Sequence, residues 1–181
     1  MLHVDSRERA LTAQAVHRAV CGQNHKVAEC PTVKVHKLES GDFAIIDKCG
    51  HALGVSRKKE GDLLGSLSKT QKNGNKHFHD ELERMARDYT ARILLVEGPI
   101  GMDPVTRMTW SGPNHRLSQW RYCAVWMMVW SACTTYRTDL LPTSDLQATC
   151  EILRVLHERA THGCVLPAAL RAEEFHEEIA A

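Results

Sequence analysis

A chain of 181 residues, 43% hydrophobic and 25% charged, is long enough for one domain with its own core and short for two. A formal net charge of +1 excludes a globally basic coat, so any polyanion contact must come from local clustering of Lys and Arg. No apolar run reaches the ~18 residues of a membrane span, and Met1-Leu2-His3-Val4-Asp5 turns charged too early for a secretory leader. These features predict a cytoplasmic protein, or a nuclear one in a eukaryotic source, without membrane contact.

In chain order, Leu2–Asp5 is short and apolar and reads as a buried strand. Glu8 to Cys21 has a helical pattern, with Ala10, Leu11, Ala15, Val16 and Ala19 predicted on the buried side and Gly22 as its stop. Lys34–Leu38 alternates as a strand does. Asp42–Asp47 and Ala52–Arg57 read as two strands joined by a hairpin turn at Lys48-Cys49-Gly50-His51. Gly61 to Leu67 is a short helix, and the polar segment Ser68–Asn75 a loop. His77–Tyr89 is amphipathic, with Phe78, Leu82 and Met85 inward. Arg92–Glu97 is the most apolar strand and belongs mid-sheet. Pro99–Pro113 reads as a long loop, followed by a helix from about Asn114 to Cys133. Thr138–Leu141 is a short strand, and Ser144 caps a helix running to about Ala160 and ended by Gly163. The predicted domain covers residues 1–165, and residues 166–181 form a helix-prone acidic tail. Strands alternating with helices, plus one hairpin, predict an α/β fold with a mixed central sheet flanked by helices.

The seven cysteines form no C-x-x-C pair, and the eleven histidines fall into no H-E-x-x-H or other metal spacing. The cysteines are expected to be reduced, partly buried small hydrophobes.

Phosphodiester hydrolysis needs an activated water and stabilisation of phosphate charge, which two carboxylates on a divalent metal and a nearby lysine supply. A hairpin can present an Asp on one strand and an acid and a Lys at i and i+2 on the other. Asp42 opens the first strand here, and Ser56 and Lys58 share a face of the second. The acid expected at position 56 is a serine.

These residues resemble the XPF-type nuclease domain, a branch of the PD-(D/E)XK nucleases. Val4-Asp5-Ser6-Arg7-Glu8 matches its opening V-D-x-R-E. Gly41-Asp42, then Ser56-Arg57-Lys58-Lys59-Glu60-Gly61-Asp62, match G-D and E-R-K-x-x-x-D. Asp62-Leu63-Leu64-Gly65-Ser66-Leu67 matches D-L-x-x-S-L, Glu81-Leu82 a helical E-L, and Ile93 to Gly98 a buried strand ending in an acid. The resemblance runs in order from Val4 to Gly98, and Ala148-Thr149 resembles a recurrent helix start beyond it.

The resemblance implies a restriction-endonuclease-like fold and an Mg²⁺- or Mn²⁺-dependent DNA endonuclease selective for branched or flap DNA. Asp42 is then a metal ligand, and Lys58 orients the water or stabilises the phosphate. Arg57 and Asp62 either pair to brace the strand-to-helix turn or act in catalysis. Glu8, placed beside the site, is a candidate for the missing acid, as are Glu60 (whose motif place faces solvent) and Glu81 leaning in from its helix. Lys58, Lys59, Lys69, Lys72, Lys76, His77 and His79 form a basic stretch suited to a DNA backbone. The implied partners are DNA and a second copy or a related subunit, and Trp120, Trp126 and Trp130 suit core or interface. Two departures stand out. Ser56 replaces the motif glutamate, which also fits a pseudonuclease that keeps DNA or partner binding. The residues after Gly163 are too few for the family's helix-hairpin-helix pair. From sequence alone, Ser56→Glu is expected to raise metal affinity and cleavage rate.

Overall fold

The computed structural model describes residues 1–22, 32–68, 77–111, 114 and 116–163. Its first half runs β1 (Leu2–Asp5), α1 (Ala10–Cys21), β2 (Val33–His36), β3 (Phe43–Ile46), β4 (Ala52–Lys59), α2 (Glu60–Ser68) and α3 (His77–Asp88). The second half runs β5 (Ala91–Glu97), β6 (Ile100–Met102), β7 (Met108–Ser111), β8 (Arg116–Arg121), α4 (Tyr122–Thr135), β9 (Asp139–Thr143) and α5 (Leu146–His162).

Six strands form one mixed sheet in the order β2-β1-β3-β4-β5-β9. The hairpin makes β3 antiparallel to β4, and β3 is also antiparallel to β1. The other pairs are parallel. β5 is buried at every position, as a strand covered on both faces must be. Period-2 alternation sorts its side chains between two cores. Ile93 and Leu95 join Val4, Phe43 and Val55 against α1 and α5. Leu94 and Val96 point the other way and pack with α2, α3 and α4 through Leu63, Phe78, Leu82 and Val125. Each such fully buried side chain contributes about 1.5–3 kcal/mol. The expected α/β sandwich with helices on both faces is what forms. No helix among the described residues is long and apolar enough to cross a membrane.

Several expectations need correction. The segment read as a loop, Pro99–Pro113, contains β6 and β7, and the expected start of the following helix is β8; together they form a separate three-stranded antiparallel sheet. Its first turn is built by Asp103, whose Oδ1 accepts the backbone N–H groups of Val105 and Thr106. Gly101 allows the Trp110 ring to lie across its strand, because a Cβ there would meet the ring at 2.2 Å. The helix therefore begins at Tyr122, eight residues later than its pattern suggests. α1 buries Thr12, Ala13, Val16 and His17, and Leu11 is exposed, so its inner face is rotated from the predicted one. Asp145, not Ser144, caps α5 by accepting from the Ala148 N–H at 2.9 Å. Cys21 is disulfide-bonded, against the expectation of reduced thiols throughout. Burial pushes Cys133 and Cys150 up to about 11, which suits inert small hydrophobes. The predicted tail and the loop lysines Lys69, Lys72 and Lys76 lie outside the described residues.

Candidate active site

The β3–β4 hairpin positions the motif residues. Gly41 launches β3 with φ +72°, and a Cβ there would press on the Val55 carbonyl at 3.1 Å, so glycine is required. Behind it, Tyr89 donates its hydroxyl to the Ser40 carbonyl at 2.6 Å, and the Ser40 hydroxyl donates to Asp88 at 2.7 Å. The Tyr89 ring lies on Gly54 of β4, where a Cβ would come within 2.1 Å.

The register pairs Phe43 with Val55, so Asp42 stands opposite Ser56 and shares its face with Ser56 and Lys58. The Arg57 backbone N–H donates to Asp42 Oδ2 at 2.6 Å. Burial pushes the Asp42 carboxyl up to about 7; nearby Glu81 and Glu8 add to the rise, and the Arg57 N–H and Lys58 oppose it.

Ser56 is fully buried, and its hydroxyl donates to Glu81 Oε1 at 2.5 Å. The other oxygen, Glu81 Oε2, meets Lys58 Nζ at 2.5 Å. Glu81 thus enters from α3 and sets a carboxylate against the side chain that replaces the motif acid. Of the candidate acids, it is the one placed there.

Arg57 points to the opposite face, as the pleat requires. Its Nε donates to Glu97 Oε2 at 2.7 Å, its Nη2 to Glu97 Oε1 at 2.9 Å, and its Nη1 to Glu8 Oε2 at 3.2 Å. Thr149 at the start of α5 also donates to Glu97 Oε2, at 3.0 Å. Burial alone would raise Glu97, but the Arg57 bonds outweigh it and hold the carboxyl below its ordinary value. Of the two readings of Arg57 and Asp62, a bracing pair or a catalytic role, the first meets a different arrangement, because Arg57 bonds Glu97 and Glu8. Asp62 is exposed in the first turn of α2, where an acid favours the helix dipole. Sequence reading placed Glu97 at a strand end but missed it as the anchor of Arg57.

Asp42, Lys58, Glu81, Glu8, His77 and Arg84 line one cavity of about 270 Å³. Asp5 and Arg7 lie at its edge, bonded to each other, and Arg7 also donates to the Leu38 carbonyl at 2.8 Å. Lys59 is half-exposed, and its Nζ is 3.8 Å from Glu97. Glu60 is half-buried, its carboxylate lying over Gly98, so it does not face open solvent as expected.

The acids of the cavity, Asp42, Glu81 and Glu8, offer carboxylate oxygens, the set that suits Mg²⁺ or Mn²⁺. The raised Asp42 reflects first its burial and then the neighbouring acids Glu81 and Glu8, both costs of a buried negative charge that a bound cation would offset. Among the described residues, however, the one group of three metal-ligating side chains with donor atoms within 4.8 Å of one another is Asp47, Cys49 and His51, at the far end of the hairpin.

The ERCC4 domain model matches residues 4–156. The chain belongs to the ERCC4 domain family. This family consists of nuclease-type domains that generally work with divalent metals. Among curated proteins none matches the chain. Solved structures with a similar fold include the following two. XPF from Aeropyrum pernix has 20% identity and a TM-score of 0.57 over 87% of this chain and 63% of that one. XPF from Aeropyrum pernix in complex with DNA has 22% identity and a TM-score of 0.59 over 93% of this chain and 68% of that one. The chain thus spans about two thirds of the XPF chains it resembles.

Proposed function

We propose that this ERCC4 domain is a structure-selective DNA endonuclease using Mg²⁺ or Mn²⁺, in which Glu81 has taken over from the motif glutamate. The observation that carries the reading is the Glu81 carboxylate, held between Ser56 Oγ and Lys58 Nζ on the face of Asp42. Asp42 and Glu81 would hold the metal, with Glu8 beside them. The metal, when bound, supplies Lewis-acid charge stabilisation and an acidified water.

This chain's residues do the rest. Asp42 is fixed by the Arg57 N–H, so its carboxylate is oriented before any ligand arrives. Lys58 faces the cavity and offers a cation to a phosphate oxygen. Release of Lys58 from Glu81 frees a donor for the phosphate and a carboxylate for the metal at once. Arg57 braces the strand end through Glu97 and, through its Nη1, holds Glu8 at the cavity. Lys59, His77 and the lysines Lys69, Lys72 and Lys76 provide backbone contacts. The DNA complex of the similarly folded XPF supports DNA as the polyanion. Met127 and Trp130, 59% and 61% exposed on α4, support pairing with a second copy or a related subunit.

A second reading, a non-catalytic DNA-binding module, is favoured by the absence of a closed three-ligand cluster at Asp42 among the described residues. Single-turnover cleavage of branched, flap and single-stranded DNA in Mn²⁺ separates the two. The nuclease reading expects cleavage by the parent chain and a loss of ~100-fold or more in both Asp42→Ala and Glu81→Gln. Binding of DNA with no cleavage of any substrate would establish the second reading. Cleavage that survives Asp42→Ala would overturn the site.

A further inference from the structure

The apex of the β3–β4 hairpin gathers three donors of different chemistry within five residues: the Asp47 carboxylate, the Cys49 thiol and a His51 ring nitrogen. A donor atom of each lies within 4.8 Å of the other two. The turn that brings them together is built from backbone bonds. The Asp47 N–H donates to the His51 carbonyl at 3.0 Å, and the Gly50 N–H to the Asp47 carbonyl at 3.2 Å, with Gly50 at φ +86°. Asp47 is buried, and its Oδ1 accepts the N–H groups of Cys49 at 2.8 Å and His51 at 2.9 Å. Those bonds aim Oδ2 at His51 Nδ1, 3.3 Å away. Cys49 is exposed, as is the His51 side chain. Lys48, the cation of the turn, is drawn off to the end of α5, where its Nζ donates to the His162 carbonyl at 3.0 Å.

We propose that this turn binds a borderline divalent cation of the zinc type through Asp47 Oδ2, Cys49 Sγ and His51 Nδ1, with water in the fourth position. A tetrahedral ion with bonds of about 2.0–2.1 Å to oxygen and nitrogen sets those two ligands ~3.3 Å apart. The spacing between Asp47 Oδ2 and His51 Nδ1 already meets that value. The longer bond to sulfur, about 2.3 Å, sets Sγ ~3.6 Å from the other two ligands, which already lie within 4.8 Å of it. Sulfur and imidazole donors select against Mg²⁺ and Mn²⁺, so this site and the carboxylate-rich cavity at Asp42 sort different ions. Binding takes Cys49 as thiolate and His51 as neutral imidazole, and the thiol proton passes to solvent as the ion enters. The ion would clamp β3 to β4 at the end of the hairpin opposite Asp42 and Lys58. The ligands sit at i, i+2 and i+4 of a turn, which is why the familiar helix and knuckle spacings miss them.

The test is titration of the full chain with Co²⁺ in excess Mg²⁺, read by thiolate-to-cobalt charge-transfer absorption. One equivalent should saturate the band, and Zn²⁺ should erase it. Cys49→Ser should abolish the band, and His51→Ala should weaken binding by at least about 10- to 100-fold, the loss seen even on removing an outer partner of a ligand. Cys123→Ser should leave the band unchanged, and circular dichroism should show each variant folded. Zn²⁺ should also raise the melting temperature of the parent and not of Cys49→Ser. The absence of a thiolate band in the parent, or a band that survives both Cys49→Ser and His51→Ala, overturns the proposal.

Discussion

Ser56→Glu sets a second carboxylate against Glu81. The parent serine is fully buried, with its hydroxyl 2.5 Å from Glu81 Oε1 and the Glu81–Lys58 pair beside it. Two carboxylates ~4 Å apart repel by about 4 kcal/mol at an effective dielectric near 20. Protonating one of them sets a ceiling, because raising a glutamate from its ordinary ~4.3 to pH 7 costs about 3.7 kcal/mol. Lys58 can neutralise only one of the pair. The single variant should therefore lose ~3 kcal/mol of metal-free stability at pH 7, which lowers its urea midpoint by more than ~1 M. It should also cleave more slowly than the parent, which reverses the expectation from sequence alone. Adding Glu81→Gln removes the repulsion and leaves one acid beside Lys58, so the double variant should recover most of the stability. The assay is urea unfolding of the parent, both singles and the double, without and with Mn²⁺. The cycle should give a coupling of ~2–3 kcal/mol without metal and much less with it. A Ser56→Glu chain as stable as the parent, or a coupling near zero, would refute the placement of Glu81.

Asp42 gives a pH prediction whose sign follows from its raised carboxyl. Its protonated form favours the metal-free fold, so that contribution is complete below the ordinary carboxylate value and is lost as pH rises through about 7. Urea unfolding of the metal-free chain should show this loss between about pH 4 and 7, flattened in Asp42→Asn, and calorimetric Mn²⁺ affinity should climb through the same window as proton and cation compete. Arg57→Met leaves Glu97 buried without its main cation and should cost about 3–5 kcal/mol, read as a fall in melting temperature that shrinks toward acid pH as Glu97 protonates.

Much of the fold is legible because its strands and helices carry strong periods. The inward run Phe78, Leu82, Met85 fixes α3, and the unbroken apolar stretch from Ile93 to Val96 fixes β5. The small sheet is illegible for the opposite reason. Its three strands are short and bear Gly, Met and Trp, and the first two flank a Pro104 turn held by backbone bonds and the Asp103 side chain. α1 misleads because it packs through small and polar residues, Ala13, Thr12 and His17, and leaves Leu11 in solvent. In the site, the pleat alone puts Ser56 and Lys58 on one face. The partner of Arg57 depends instead on the parallel register of β4 on β5, which sets Glu97 beside Lys59 and brings it under Arg57.

The same alternation explains how a nuclease motif can lose its central acid and keep its charge balance. Arg57 and Lys58 are adjacent in sequence but serve opposite faces of the sheet. Arg57 is matched by Glu97 on the α5 side and by Glu8, which also lines the cavity, and Lys58 by Glu81 on the α3 side. A serine at position 56 would leave Lys58 half-buried beside Asp42 alone, were it not for Glu81. The Glu81 carboxylate restores that face to two acids and one cation, the count that a glutamate at position 56 would supply with Asp42 and Lys58. On the proposed reading the acid that serves is carried by the helix α3, at the place of the family's helical E-L, and not by the rigid strand β4. The price is reach: a strand acid is fixed by the sheet, whereas Glu81 stays in place only as long as α3 stays docked through Phe78, Leu82 and Met85. Loosening that docking should therefore reach the candidate metal site before it reaches the sheet.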